Sequence, residues 1–241
     1  MRTEQNETVA NQQEYEKHYE KEEVFLRYPA DWVVRFHNMY MKAQIPGGRV
    51  LDYGCGGGNN SVFFIDKGYE TYGVDTAPSA LSLIKKNLQS KHLDVQLARR
   101  FSTISPTNPE LPFENNFFDF ILSNQVLYYL PTKEYIQKVC QECARVLRPG
   151  GVVFFTMMGP RNCYIAEYTK NVINKKVHEV AVNKPGHRLD GVREFIYLVD
   201  TEEELKDLFS AFHCLSTGYF DQKMLDMSSN FHWIYIGQKK T

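Results

Sequence analysis

Two carboxylates and a run of glycines carry the most specific chemistry in this chain. The stretch Val50-Leu51-Asp52-Tyr53-Gly54-Cys55-Gly56-Gly57-Gly58-Asn59-Asn60 joins an apolar run, read as a buried parallel strand, to a turn. Glycines there let backbone approach a ligand with no Cβ in the way. Asn59 or Asn60 is the expected N-cap of a following helix, with Val62, Phe63 and Ile65 supplying its apolar positions. A dinucleotide fingerprint needs glycine where Asn59 stands, and no Gly-Lys-Ser/Thr follows to make a triphosphate loop. Asp52 sits two residues ahead of Gly54; a carboxylate there repels a pyrophosphate and suits an ammonium. A second carboxylate, Asp75, ends the next apolar run. It falls about 20 residues on, where an α/β unit of this kind places an acid to accept from ribose hydroxyls.

Such residues ask for a ligand with a nucleoside at one end and a cationic amino acid at the other, and S-adenosylmethionine has both. Four blocks occur in order: Val50 to Asn60, Gly73 to Ala77, Asn116 to Leu130 and Arg145 to Gly151. Together they resemble the motif set of class I S-adenosylmethionine-dependent methyltransferases, over roughly Ile45 to Met158. Tyr28 to Phe36 resembles the opening segment of some bacterial small-molecule members. The resemblance implies an α/β, Rossmann-like doubly wound fold. Its mostly parallel seven-stranded sheet has an antiparallel edge hairpin and helical cap elements.

From the residues and the resemblance together, cofactor contacts are expected at Tyr19, Asp52, Gly54, Cys55, Gly56, Asn59, Asn60, Asp75, Thr76, Asn124 and Gln125, with Phe101 stacking on or lying against the adenine and Ser102 or backbone making its polar contact. Three departures qualify the resemblance. Arg99-Arg100-Phe101-Ser102 stands where the family commonly carries an acid for the adenine amino group. Tyr129 stands where many members have histidine. Ser123-Asn124-Gln125-Val126 replaces the Asn/Asp-Pro-Pro-Phe/Tyr motif of exocyclic amine methylases, which disfavours that chemistry.

The elements that must hold these residues follow from periodicity. Met1 to about Gln13 is polar and expected to fray. Glu14 to Leu26 reads as a charged helix with Tyr15, His18 and Tyr19 on one face. That face either packs on the domain or, as in resembling enzymes, covers the methionine end of the cofactor. Ala30 to Ala43 reads as a second helix, Thr71 to Val74 as strand two, and Leu93 to Ala98 as strand three. Phe120 to Ser123 is strand four, and Asn124 and Gln125 leave its carboxyl edge, where open α/β sheets bind ligands. Thr132 to Leu147 reads as a helix with Cys140 and Cys143 on its buried face, so this pair has a packing explanation and no metal is expected. Val152 to Met157 is strand five. Thr201-x-x-Glu204 is a capping box, and Cys214 to Phe220 with Phe231 to Gly237 make the closing hairpin. Residues 1–44 are thus expected to cover the cofactor site. Residues 45–241 would form the methyltransferase domain, with a substrate-binding insertion at about 158–199.

Composition narrows the partners. The 241 residues carry a formal charge of −1, with both signs interspersed, so no field for nucleic acid is evident. The five cysteines lack a disulfide framework. The first twenty residues hold no apolar signal core, and no run approaches transmembrane length. A reducing, cytoplasmic setting without membrane attachment is the expectation.

The acceptor is the open question. The expectation is a small molecule, anionic or sugar-linked in view of Arg27, Arg188, Arg193, Tyr128 and Tyr197. His187 is the first candidate base, against a plain loop histidine. Tyr129 is ordinarily too weak an acid to act as a base at neutral pH, so it walls the pocket or hydrogen-bonds the acceptor. An RNA or protein methyltransferase, and a cofactor-binding module without turnover, are the competing readings.

Overall fold

Strand β1, Arg49–Tyr53, is the centre from which the sheet grows outward. The computed structural model describes residues 2–20, 28–185, 190–223 and 228–240. β1 runs parallel to β2, Glu70–Asp75, with Asp52 opposite Gly73. On its other side it runs parallel to β4, Phe118–Ser123. β3 (Phe101–Thr103) flanks β2, and β5 (Leu147–Met158) flanks β4. The antiparallel pair β9 (Phe212–Phe220) and β10 (His232–Lys239) completes the order β3-β2-β1-β4-β5-β10-β9. This is the mostly parallel seven-stranded sheet with an antiparallel edge hairpin that the motifs imply.

Period-two alternation sends the central strands' side chains to two different cores. Leu51, Ile121, Val153 and Phe155 face helix α5 (Lys133–Val146), through Ile136, Val139, Cys140 and Cys143, and helix α7 (Glu202–Leu208), through Leu205 and Leu208. Val50, Phe120, Leu122 and Phe154 face the opposite way, onto Val33 and Phe36 of α2 (Asp31–Phe36) and Phe64 of α3 (Asn59–Asp66). Both cysteines of α5 are therefore core residues, and all five cysteines are free. Thr132 caps α5 and Thr201 caps α7, each accepting from a backbone N–H three residues on at 3.2 Å. Glu204 returns a carboxylate to the N–H of Asp200 at 2.9 Å.

The structure changes several boundaries. Helix α1 spans Arg2–Glu20 rather than starting at Glu14. Its docking face is polar: Glu7, Thr8 and Asn11 are buried, so no apolar stripe advertised it. The second helix leaves the α form after Phe36 and continues as a π-helical turn, His37–Met41. Leu93 to Ala98 is not a strand. Asp94 accepts from the N–H of Gln96 at 2.9 Å and starts a 3-10 turn over Val95–Arg100, so β3 begins only at Phe101. The N-cap of α3 is Gly58 in the left-handed region (φ 78°), not an asparagine.

The segment after β5 folds as α6 (Cys163–Tyr168) and a separate antiparallel sheet. That sheet consists of β6 (Thr169–Ile173), β7 (Val177–Ala181) and β8 (Arg193–Tyr197). Helix α4 (Ala80–Ser90) follows β2. Among the described residues no helix is long and apolar enough to cross a membrane.

Candidate functional site

The glycine turn closes onto the tip of β2. Gly54 and Cys55 donate their N–H groups to the carbonyl of Val74 at 2.8 and 3.0 Å. Gly56 donates to Asp75 Oδ2 at 2.8 Å, and Ala77 donates to Asp75 Oδ1 at 2.9 Å. Gly54 has φ 74°, and a Cβ there would lie 2.4 Å from the side chain of Val126. Glycine is therefore required on both conformational and steric grounds.

Asp52 and Asp75 are both buried beside this turn. Ser61, on the first turn of α3, donates to Asp52 Oδ2 at 2.6 Å. Burial, outweighing that hydrogen bond and reinforced by repulsion from Asp75, raises the Asp52 carboxyl to about 7. Burial also raises Asp75, against three backbone hydrogen bonds that favour its charged form. Two desolvated carboxylates this close await a positive charge. An ammonium near Asp52 and ribose hydroxyls near Asp75 answer that need, so the residues fit S-adenosylmethionine.

Helix α1 roofs the turn. Tyr19 reaches down so that its hydroxyl lies 2.6 Å from where a Cβ on Gly56 would be, and burial with the nearby Asp75 raises it far above an ordinary phenol. Gln12 donates to the carbonyl of Thr76 at 2.7 Å, and Glu16 accepts from Ser79 N and Oγ at 3.2 and 2.9 Å. Asn11 pins the helix to Tyr129 and to β8: its amide donates to the carbonyls of Tyr129 (3.0 Å) and Phe195 (2.8 Å) and accepts from Phe195 N at 2.8 Å.

The remaining cofactor candidates divide. Asn124 Oδ1 accepts from Trp32 Nε1 at 2.6 Å. Gln125 takes φ 60° and donates its N–H to Thr156 Oγ1 at 2.6 Å, so both stand at the carboxyl edge of β4. Asn59 and Asn60 are used as a seam: Asn59 donates to the carbonyl of Tyr28, and Asn60 accepts from Ala30 N. Phe101 is buried against Gly73, in a core cluster with Cys55, rather than free to stack. Ser102 lines a cleft of about 570 Å³ at the β3 edge, with Arg99, Arg100 and Tyr72 among its walls.

Of the acceptor candidates, Arg27, His187 and Arg188 lie outside the described residues. Arg193 is turned outward, its guanidinium Nε 2.8 Å from Glu179. Tyr197 is buried among the charges of α7, with Glu204 and Lys176 as its electrostatic neighbours. Tyr128 and Tyr129 do come together, ring centroids 4.5 Å apart, and Tyr15 meets Tyr129 edge-on at 5.0 Å. Sequence reasoning missed Asn11, Gln12, Ser61 and above all Glu194, a buried carboxylate 3.4 Å from the Tyr129 hydroxyl. The strand alternation that turns Arg193 out and Glu194 in was the available signal.

Comparison with known proteins agrees with this geometry. The family model described as a methyltransferase domain matches residues 51–155. A ubiquinone biosynthesis O-methyltransferase of Chromobacterium violaceum is 31% identical over 146 residues, 58% of this chain and 59% of that protein. An uncharacterized methyltransferase of Synechocystis is 32% identical over 120 residues, 49% of this chain and 51% of its own. The chain thus spans between half and three fifths of the length of these two curated relatives. Among solved structures, a SAM-dependent methyltransferase of Methanosarcina mazei superposes with TM-score 0.65 at 19% identity, covering 88% of this chain and 99% of that one. A Burkholderia thailandensis 1,6-didemethyltoxoflavin-N1-methyltransferase with bound S-adenosylhomocysteine gives 0.53 at 19% identity, covering 87% and 76%. Residues 51–155 thus match a methyltransferase domain whose motifs lie on the strands and turns just described, and the chain shares the fold of these S-adenosylmethionine-dependent methyltransferase structures.

Proposed function

We propose that the protein transfers a methyl group from S-adenosylmethionine to a hydroxyl oxygen of a small molecule. The observation that carries the reading is the pair of buried carboxylates at the tips of adjacent strands, Asp52 and Asp75, flanking a turn that admits only glycine at Gly54. The O-methyltransferase relatives support oxygen as the receiving atom, and they do so by name only.

When bound, the cofactor supplies a methyl group already activated on a positively charged sulfur. The chain's own part is alignment and exclusion of water. Asp75, braced by Gly56 and Ala77, holds ribose hydroxyls. Asp52, braced by Ser61, faces the amino-acid ammonium. Tyr19 and the α1 face close over the turn, and Asn124 and Gln125 border the methionine portion. Holding acceptor and donor in line contributes on the order of 7–11 kcal/mol at its upper range.

Titration calorimetry with S-adenosylhomocysteine, followed by transfer from labelled S-adenosylmethionine to phenol, amine and carboxylate probes, tests the reading. Binding with label appearing on hydroxyl probes is the expected result. No affinity for either form of the cofactor would sink it.

A further inference from the structure

Glu194 has no part in holding the cofactor, yet its setting is the most unusual of any carboxylate on the insertion. Its register partner on β7 is Val180, and the next residue along, Glu179, pairs with Arg193 and accepts from Asn171. Glu194 is 4% exposed, and no lysine or arginine among the described residues pairs with it. The Tyr129 hydroxyl donates to it at 3.4 Å. Burial, then repulsion from Glu14, pushes its carboxyl up to about 8, with the Tyr129 hydrogen bond opposing.

The groups facing this carboxyl come from several elements. Glu14 and Tyr15 approach from α1, Tyr128 and Tyr129 from the 3-10 turn Leu127–Tyr129, and Tyr164 of α6 faces Tyr129. His18 lies 3.8 Å from Glu14 and so belongs to the same cluster.

An aromatic path connects Glu194 to the cofactor turn. Tyr19 stands over Gly56, its ring 5.8 Å from Tyr15. Tyr15 in turn is 5.0 Å from Tyr129, which touches Glu194. Asn11 binds the backbone of the adjacent Phe195 on both N–H and carbonyl, which fixes β8 where Glu194 leaves it. Carboxylate and glycine turn therefore share one roof, with the Tyr15–Tyr129 contact on the path from one to the other. A ring in that place meets tyrosine faces and acidic side chains, which repel an anionic acceptor.

Resting on the O-methyl reading above, we propose that Glu194 is the general base, taking the proton from an uncharged phenolic or catecholic hydroxyl seated against Tyr128 and Tyr129. The acceptor enters by displacing the Tyr15 ring. Its oxygen forms the new O–C bond to the methyl of the sulfonium donor, and the C–S bond breaks with its electron pair going to sulfur. The O–H proton passes to the Glu194 carboxylate and leaves to solvent when α1 lifts. A phenol loses its proton near pH 10, so a carboxyl tuned close to the operating pH is a far better partner than an ordinary glutamate.

The test uses the full chain loaded with S-adenosylhomocysteine and labelled with 13C at glutamate carboxyls. One resonance should titrate near pH 8, move on addition of catechol, and vanish in Glu194→Gln. In turnover with S-adenosylmethionine and catechol, Glu194→Gln should lose at least about 100-fold, with S-adenosylhomocysteine affinity within about twofold. Glu194→Asp, which keeps the carboxyl on a shorter stem, should lose less activity than Glu194→Gln. A resonance indifferent to catechol, no catechol binding, or a wild-type rate in Glu194→Gln overturns this proposal alone. Failure of S-adenosylhomocysteine to bind overturns the O-methyl reading as well.

Discussion

The backbone N–H of Gly56 donates to Asp75 Oδ2 at 2.8 Å, so the glycine turn after β1 is latched to the tip of β2 by one of the carboxylates expected to hold the cofactor. The same side chain serves the fold and the ligand. Its other oxygen accepts from Ala77 N at 2.9 Å.

Asp75→Ala therefore removes the latch and the ribose partner together. Affinity for S-adenosylhomocysteine should fall by at least about tenfold, the scale of one charge-assisted hydrogen bond. Titration calorimetry reads it directly, and unchanged affinity would remove the ribose assignment.

Gly54→Ala should destabilise the fold by about 1–3 kcal/mol, through overpacking against Val126 and the left-handed φ of 74°. Thermal melts will show it. Adding Val126→Ala should recover part of the loss, because the methyls at 2.4 and 2.5 Å are then gone while the backbone strain stays.

Asp52 and Glu194 bind a proton more tightly in the folded chain than in the unfolded one, since burial raises them to about 7 and about 8. Their contribution to stability is thus fully present below the unfolded pKa, near pH 4, and is lost as pH rises through those values. The loss has a slope of up to about 1.4 kcal/mol per pH unit for each group. Denaturant unfolding of the protein without ligand should show this decline, and Asp52→Asn or Glu194→Gln should flatten it. Cofactor affinity runs oppositely: ionised Asp52 attracts the ammonium, so S-adenosylhomocysteine should bind more tightly at pH 8 than at pH 6. Asp52→Asn should abolish that difference.

Asn11→Ala breaks three hydrogen bonds, to Tyr129 O, Phe195 O and Phe195 N. A cost of about 1–3 kcal/mol is expected from the unpaired backbone groups. Hydrogen exchange at the Phe195 amide should accelerate with it. An unchanged exchange rate would mean that α1 does not dock on β8 in solution.

The sequence by itself determined the strand, glycine turn and next strand around Asp52 and Asp75, and the closing hairpin. Those features are written locally: an apolar run into Asp52 and Gly54, a second run into Asp75, and alternation through Ile234 and Ile236. The tertiary structure alone decided the rest. Helix α1 docks through buried Glu7, Thr8 and Asn11, a polar face that hydrophobic periodicity does not register. Asp94 overrode the strand-like alternation of Leu93, Val95 and Leu97 with a side-chain cap. Glu194 became a site candidate only when β8 turned it toward Tyr129, 65 residues away in the chain. Sequence pattern reports which face an element buries, but a polar group's burial depends on partners contributed by distant segments, and only folding brings those together.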